Sequence, residues 1–117
     1  MTCDGGERSV ITPSGAVPIW NTTTSQGTFI ADGTYFVSLS VTFTTAVNNN
    51  SVTLRLVNVN DANDYLDEEI TIDRTGVEVT YTASFNLIST GSVFKMQANP
   101  VSAATVKQTR IFPERKN

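Results

Sequence analysis

Two stretches of this 117-residue chain alternate so regularly that they leave little choice of secondary structure. In residues 34–44, Tyr35, Val37, Leu39, Val41 and Phe43 occupy every second position. Thr34, Ser38, Ser40, Thr42 and Thr44 fill the positions between, with Phe36 the one exception. In residues 77–87, Val77, Val79, Tyr81, Ala83, Phe85 and Leu87 alternate with Glu78, Thr80, Thr82, Ser84 and Asn86. A period of two places one set on each side of an extended strand, whereas a helix would scatter both sets around its circumference. Long strands with one apolar and one polar face belong to antiparallel sheets that bury one side and leave the other wet.

The remaining chain reads as shorter strands separated by turn residues. Ser9–Thr12 is a short strand, followed by the Pro13-Ser14-Gly15 turn and the apolar piece Val17–Trp20. Thr28–Ala31 precedes Asp32-Gly33, a dipeptide that tolerates positive φ and signals a hairpin into the strand at 34–44. Asn48–Asn50 turns the chain, and Val52, Leu54 and Leu56 mark a further strand. Residues 58–64 read as a polar loop, 69–73 as a short strand, 93–98 as a strand broken at Asn99-Pro100, and 104–112 as a last strand ended by Pro113. About eight strands at intervals near ten residues, without helical periodicity, predict an all-β fold: an antiparallel eight-stranded β-sandwich or jelly roll. Residues 1–18 are expected as a flexible N-terminal arm with a short strand, and residues 19–117 as the jelly-roll domain.

Composition narrows the functional classes. Eight Lys and Arg against eleven Asp and Glu give a net charge of −3, with no basic run longer than Arg115-Lys116. Nucleic acid and anionic membrane surfaces attract clustered positive charge, so neither is an expected partner. Met1–Glu7 has no apolar segment of the kind a secretory signal carries. The one cysteine, Cys3, is expected as an incidental thiol in the arm. The chain has no histidine, which removes the commonest general base and metal ligand. No Ser, Thr or Lys is grouped with an activating partner, so no enzyme activity and no cofactor are expected. The acidic residues Asp61, Asp64, Asp67, Glu68, Glu69 and Asp73 read as a solvated loop leading into a strand, with calcium binding as the alternative. Trp20 reads as a packing anchor, with stacking on a sugar as the alternative.

One family matches the order of these features. Phe29, then Gly33 and Tyr35, then the long alternating strand closing at Phe43, resembles the start of the C1q/TNF-like jelly roll. Thr82–Leu87, the Gly91 turn, Val93–Met96 and a terminal strand reaching Phe112 are similar to its later strands. The closing Phe-Ser-Gly-type motif of secreted C1q modules does not follow Phe112, and the Thr/Ser/Asn-rich composition is that of such domains in tailed-bacteriophage virions. The resemblance implies a homotrimer located on the virion capsid surface. There it would act as a decoration or cement protein through contacts with the major capsid protein or another virion protein. The alternative is a receptor- or glycan-binding tip of a head or tail fibre. Interface candidates are Tyr35, Phe36, Phe43, Ile88, Met96 and Trp20, of which Phe36, Ile88 and Met96 stand out as apolar side chains on polar strand faces.

Overall fold

A computed structural model of the chain describes residues 1–15, 17, 19–29 and 32–116. Among these, ten strands and no helix are found: β1 (Thr2–Cys3), β2 (Ser9–Ile11), β3 (Trp20–Asn21), β4 (Gln26–Phe29), β5 (Gly33–Thr45), β6 (Asn50–Asn58), β7 (Asp61–Ile72), β8 (Val79–Ser89), β9 (Ser92–Pro100) and β10 (Ala104–Arg115). Ile30 and Ala31, expected to continue the strand of Thr28 and Phe29, lie outside the described residues, as do Ala16 and Pro18 of the expected arm and Asn117.

The strands form two antiparallel sheets. One has four strands in the order β1-β10-β5-β8; the other runs β3-β4-β9-β6-β7, with β2 added to β9 beside β4. The predicted alternation sets their shared interior. Tyr35, Val37, Leu39, Val41 and Phe43 of β5 and Ala83, Phe85 and Leu87 of β8 face Val52, Leu54 and Leu56 of β6 and Phe94, Met96 and Ala98 of β9 in one buried cluster. Phe29 anchors one end, edge-on to Trp20, Tyr35 and Phe94 at ring-centroid distances of 6.5, 4.9 and 5.8 Å. Edge-to-face pairing of this kind adds to the burial of each ring. Asn50 is the main polar anchor. Its side chain is 2% exposed, its Nδ2 donates to Thr45 Oγ1 and the Ser102 carbonyl, and its Oδ1 accepts from the Ser102 amide.

Several expectations need correction. The strand count is ten rather than eight, because very short pieces also pair. β1 lies within the expected flexible arm, where Thr2 and Cys3 pair with Thr105 and Ala104, and β3 pairs with β4. Met1 and Ser14 of the arm also follow the sandwich. Met1 exchanges backbone bonds with Val106, and Ser14 bonds the outward edge of β10 at Thr109 through both its amide and its hydroxyl. Cys3 is fully buried, and burial pushes its thiol pKa up, with a partial offset from a hydrogen bond to Ser9.

Asp32-Gly33 does not close a hairpin. β4 and β5 lie in different sheets, so the turn carries the chain from one sheet to the other, with Gly33 at φ 140°. The polar loop expected at 58–64 is cut short, since β7 begins at Asp61, which pairs with Asn58; residues 62–64 bulge out, and pairing with β6 resumes from Tyr65 to Ile72. The turn is held locally: Asn58 Oδ1 accepts from the Asn60 amide, and Asn58 Nδ2 donates to Asp64. Pairing with β6 overrides the low strand preference of Asp and Asn. β7 is an edge strand with mostly exposed residues, and its charges oppose pairing with another sheet.

Proline does not end β10. Pro113 pairs with Val37 and the strand continues to Arg115. The Thr109 backbone points away from β5 toward Ser14, so alternate residues Ile111, Pro113 and Arg115 also direct their backbone groups outward. The missing N–H of Pro113 therefore removes no bond to β5, and it leaves a gap in the outer edge.

Candidate functional site

The polar file of each long strand falls on the outer face of the four-stranded sheet. The register stacks Arg110, Ser40 and Thr82 in one row, Phe112, Ser38 and Ser84 in the next, and Glu114, Phe36 and Asn86 in a third. Thr42 and Thr80 face each other, with their hydroxyls 2.8 Å apart. With Ser40, Gln108 and Arg110 they line a shallow hollow of about 180 Å³.

Three apolar side chains interrupt this Ser/Thr surface. Ile88 sits opposite Thr34 and is 77% exposed; Phe112 sits opposite Ser38 and is 58% exposed. Phe36 lies between them in register, half-buried, with Lys116 Nζ 5.2 Å from its ring centroid. The trio runs diagonally across β10, β5 and β8, at the spacing where large side chains on one sheet face reach each other. Ile88 and Phe112 leave apolar area in water that a covering partner would remove.

The structure divides the sequence candidates in two. Phe36 and Ile88 lie on this face. Tyr35, Phe43, Met96 and Trp20 belong to the interior of the sandwich and offer no surface to a partner. Tyr35 and Phe43 share a file with Val37, Leu39 and Val41, and Met96 lies between Phe94 and Ala98 on the inward file of β9. Trp20 lies flat on Gly27 and edge-on to Phe29, so its ring has no face open to a sugar; its indole N–H is buried without a partner among the described residues.

Phe112 was not anticipated. A register shift between Val106 and Gln108 leaves Lys107 unpaired, and the bulge reverses the inside–outside parity for the rest of β10. Thr109 and Ile111 turn inward and Phe112 outward. Strict alternation from Ala104 and Val106 would have placed Phe112 in the core.

The acidic residues are spread along both sides of β7 and its end rather than gathered. Asp67 takes two bonds from Arg55, Asp64 accepts from Asn58, Asp61 accepts from the Asn63 amide, and Asp73 accepts from Tyr81. Among the described residues, no group of three or more His, Cys, Asp or Glu is placed to hold a metal ion, and no helix is long and apolar enough to cross a membrane. No family model, curated protein or solved structure matches this chain.

Proposed function

We propose that the chain is a structural virion protein that works through protein–protein contacts: a homotrimeric, jelly-roll decoration protein on the capsid surface of a tailed bacteriophage. The observation that carries the reading is the outer face of the four-stranded sheet, a Ser/Thr surface crossed by Phe36, Ile88 and Phe112. A face built from short hydroxyl side chains allows close approach of another protein, and a few apolar anchors supply the affinity.

Strand pairing supports the jelly-roll part. With β2 and β3 set aside as additions to the six-stranded sheet, eight strands remain, counting the two-residue β1, and they pair from the outside inward: β1 with β10, β4 with β9, β5 with β8 and β6 with β7. That order arises when one long hairpin is folded over into two sheets, as a jelly roll is. It agrees with the family likeness of the segments around Tyr35, Phe85 and Phe94, and the threefold assembly and capsid location follow from that likeness.

The experiment is to mix purified protein with undecorated capsids of its phage and measure occupancy and particle stability. The reading expects saturating occupancy and capsids that survive higher temperature or lower salt. Unchanged capsids together with binding to host cells or glycans would replace it with the fibre-tip role.

A further inference from the structure

The opposite face of the molecule has a different chemistry. Arg55 and Lys95 are the only Lys or Arg residues on the strands of the six-stranded sheet, and Arg8 immediately precedes β2. All three line one concavity of about 180 Å³ on that sheet's outer face. The register explains the convergence. β6 and β9 pair Arg55 with Gln97 and Val57 with Lys95, and β2 joins β9 with Val10 opposite Gln97, which brings Arg8 to the same side. Among the described residues, no Asp or Glu lines the hollow. Asp67 balances Arg55, so the positive charge that an entering anion would meet in the hollow is chiefly that of Arg8 and Lys95.

The hollow is also pre-shaped. Arg55 is held in place by Asp67, with Nε and Nη2 donating to the two carboxylate oxygens at 2.7 and 2.9 Å, and its guanidinium lies 3.7 Å from the centroid of the Tyr65 ring. Val57 faces outward with Arg55 yet is only 5% exposed, so it forms an apolar floor, and Val59 and Ala62 add to the lining. Cationic walls around an apolar floor suit a carboxylate on a short methylene stem, and the volume is too small for a nucleotide.

We propose that this concavity is a socket for an acidic side chain, Asp or Glu, presented by a partner protein. The partner would bind on the sheet opposite the apolar trio, so the socket does not depend on the assembly face.

The test is an amide and Arg Nε NMR titration of the full chain with a capped Ala-Glu-Ala-Glu-Ala peptide, its Gln counterpart, and inorganic phosphate. Saturable shifts centred on Arg8, Arg55, Lys95 and Gln97 are expected with the Glu peptide and not with the Gln peptide. Substituting Arg8→Gln and Lys95→Gln together should weaken binding about tenfold, the scale of two exposed ion pairs. Both positions are surface sites, so an unchanged urea midpoint and spectral dispersion will show that the variant is folded. Shifts centred elsewhere, equal response to the Gln peptide, tighter binding of phosphate than of the Glu peptide, or unchanged affinity in the variant would each overturn the proposal.

Discussion

Replacing Asn50 tests how the two ends of the sandwich are tied. Its side chain joins the β5–β6 crossover to the β9–β10 connection through contacts of 3.2 Å to Thr45 Oγ1, 2.7 Å to the Ser102 carbonyl and 3.0 Å from the Ser102 amide. Asn50→Ala removes all three at a site 2% exposed. At about 1 kcal/mol for each intramolecular hydrogen bond, the loss is about 3 kcal/mol. For a chain of this size, that lowers the melting temperature by roughly 12 °C. Asn50→Asp is the sharper variant. It keeps an acceptor for the Ser102 amide but sets a carboxylate oxygen against the Ser102 carbonyl, in a buried site. Burial and that oxygen contact raise the new carboxyl's folded pKa above its unfolded value of about 4. The folded state then holds the proton more tightly than the unfolded state. The variant therefore approaches wild-type stability below pH 4, where the protonated acid donates to the Ser102 carbonyl, and loses stability as pH rises through the folded pKa. Urea unfolding at pH 3.5 and pH 7 measures both effects. A deficit independent of pH in Asn50→Asp, or a loss below about 1 kcal/mol in Asn50→Ala, would refute the reasoning.

Other substitutions follow from the same structure. A Cβ at Gly27 would collide with the Trp20 ring carbons Cε3 and Cζ3, so Gly27→Ala should cost about 1–3 kcal/mol by overpacking and shift the Trp20 fluorescence; an unshifted spectrum with unchanged urea midpoint would contradict the packing described. Burial raises the Cys3 thiol above its ordinary pKa of 9.0, so the folded state keeps a proton that the unfolded chain loses; stability should fall as pH rises above 9, and Cys3→Ala should flatten the onset of that fall in unfolding midpoints measured from pH 8 to 11. The nitrogen of Pro113 points away from β5, so Pro113→Val should leave monomer stability within about 0.5 kcal/mol while increasing the aggregation rate followed by light scattering.

Much of this architecture was legible because β5 and β8 alternate over their buried stretches, as β6 does up to Leu56, and burial follows it. The partner of each strand was not legible. Asp32-Gly33 and Ser89-Thr90-Gly91 carry the residues of a tight reversal, and the same residues serve whether the next strand pairs with the last or crosses to the other sheet. The first part of β7 was hidden because its Asp and Asn content describes a loop, while its end at 69–72 was legible as a short strand. The bulge at Lys107 has no sequence mark, yet it alone puts Phe112 on the surface. Aromatic character points Tyr35, Phe43 and Trp20 to an interface and Met96 reads as an apolar outlier on a polar face, yet all four are buried in the core. The alternation that defined β5 already placed Tyr35 and Phe43 inside, while Phe36 and Ile88 were visible because they broke their strands' pattern. Arg8, Arg55 and Lys95 are far apart in the chain, and only the β2–β9–β6 register collects them.

Self-association through the outer face of the four-stranded sheet is the centre of the account, and sedimentation equilibrium of the wild type beside Ile88→Ser/Phe112→Ser addresses it directly. Full burial of a side chain of this size is worth about 2–3 kcal/mol, so covering Ile88 and Phe112, 77% and 58% exposed, gives about 3 kcal/mol per subunit. Across a trimer this is about 9 kcal/mol, enough to move the concentration at which trimers dissociate by about three orders of magnitude. The account predicts a wild-type trimer at micromolar concentration, and a variant that is monomeric there with an unfolding midpoint no lower than that of the wild-type monomer. A monomeric wild type, or a trimer that survives the double substitution with unchanged affinity, would contradict it.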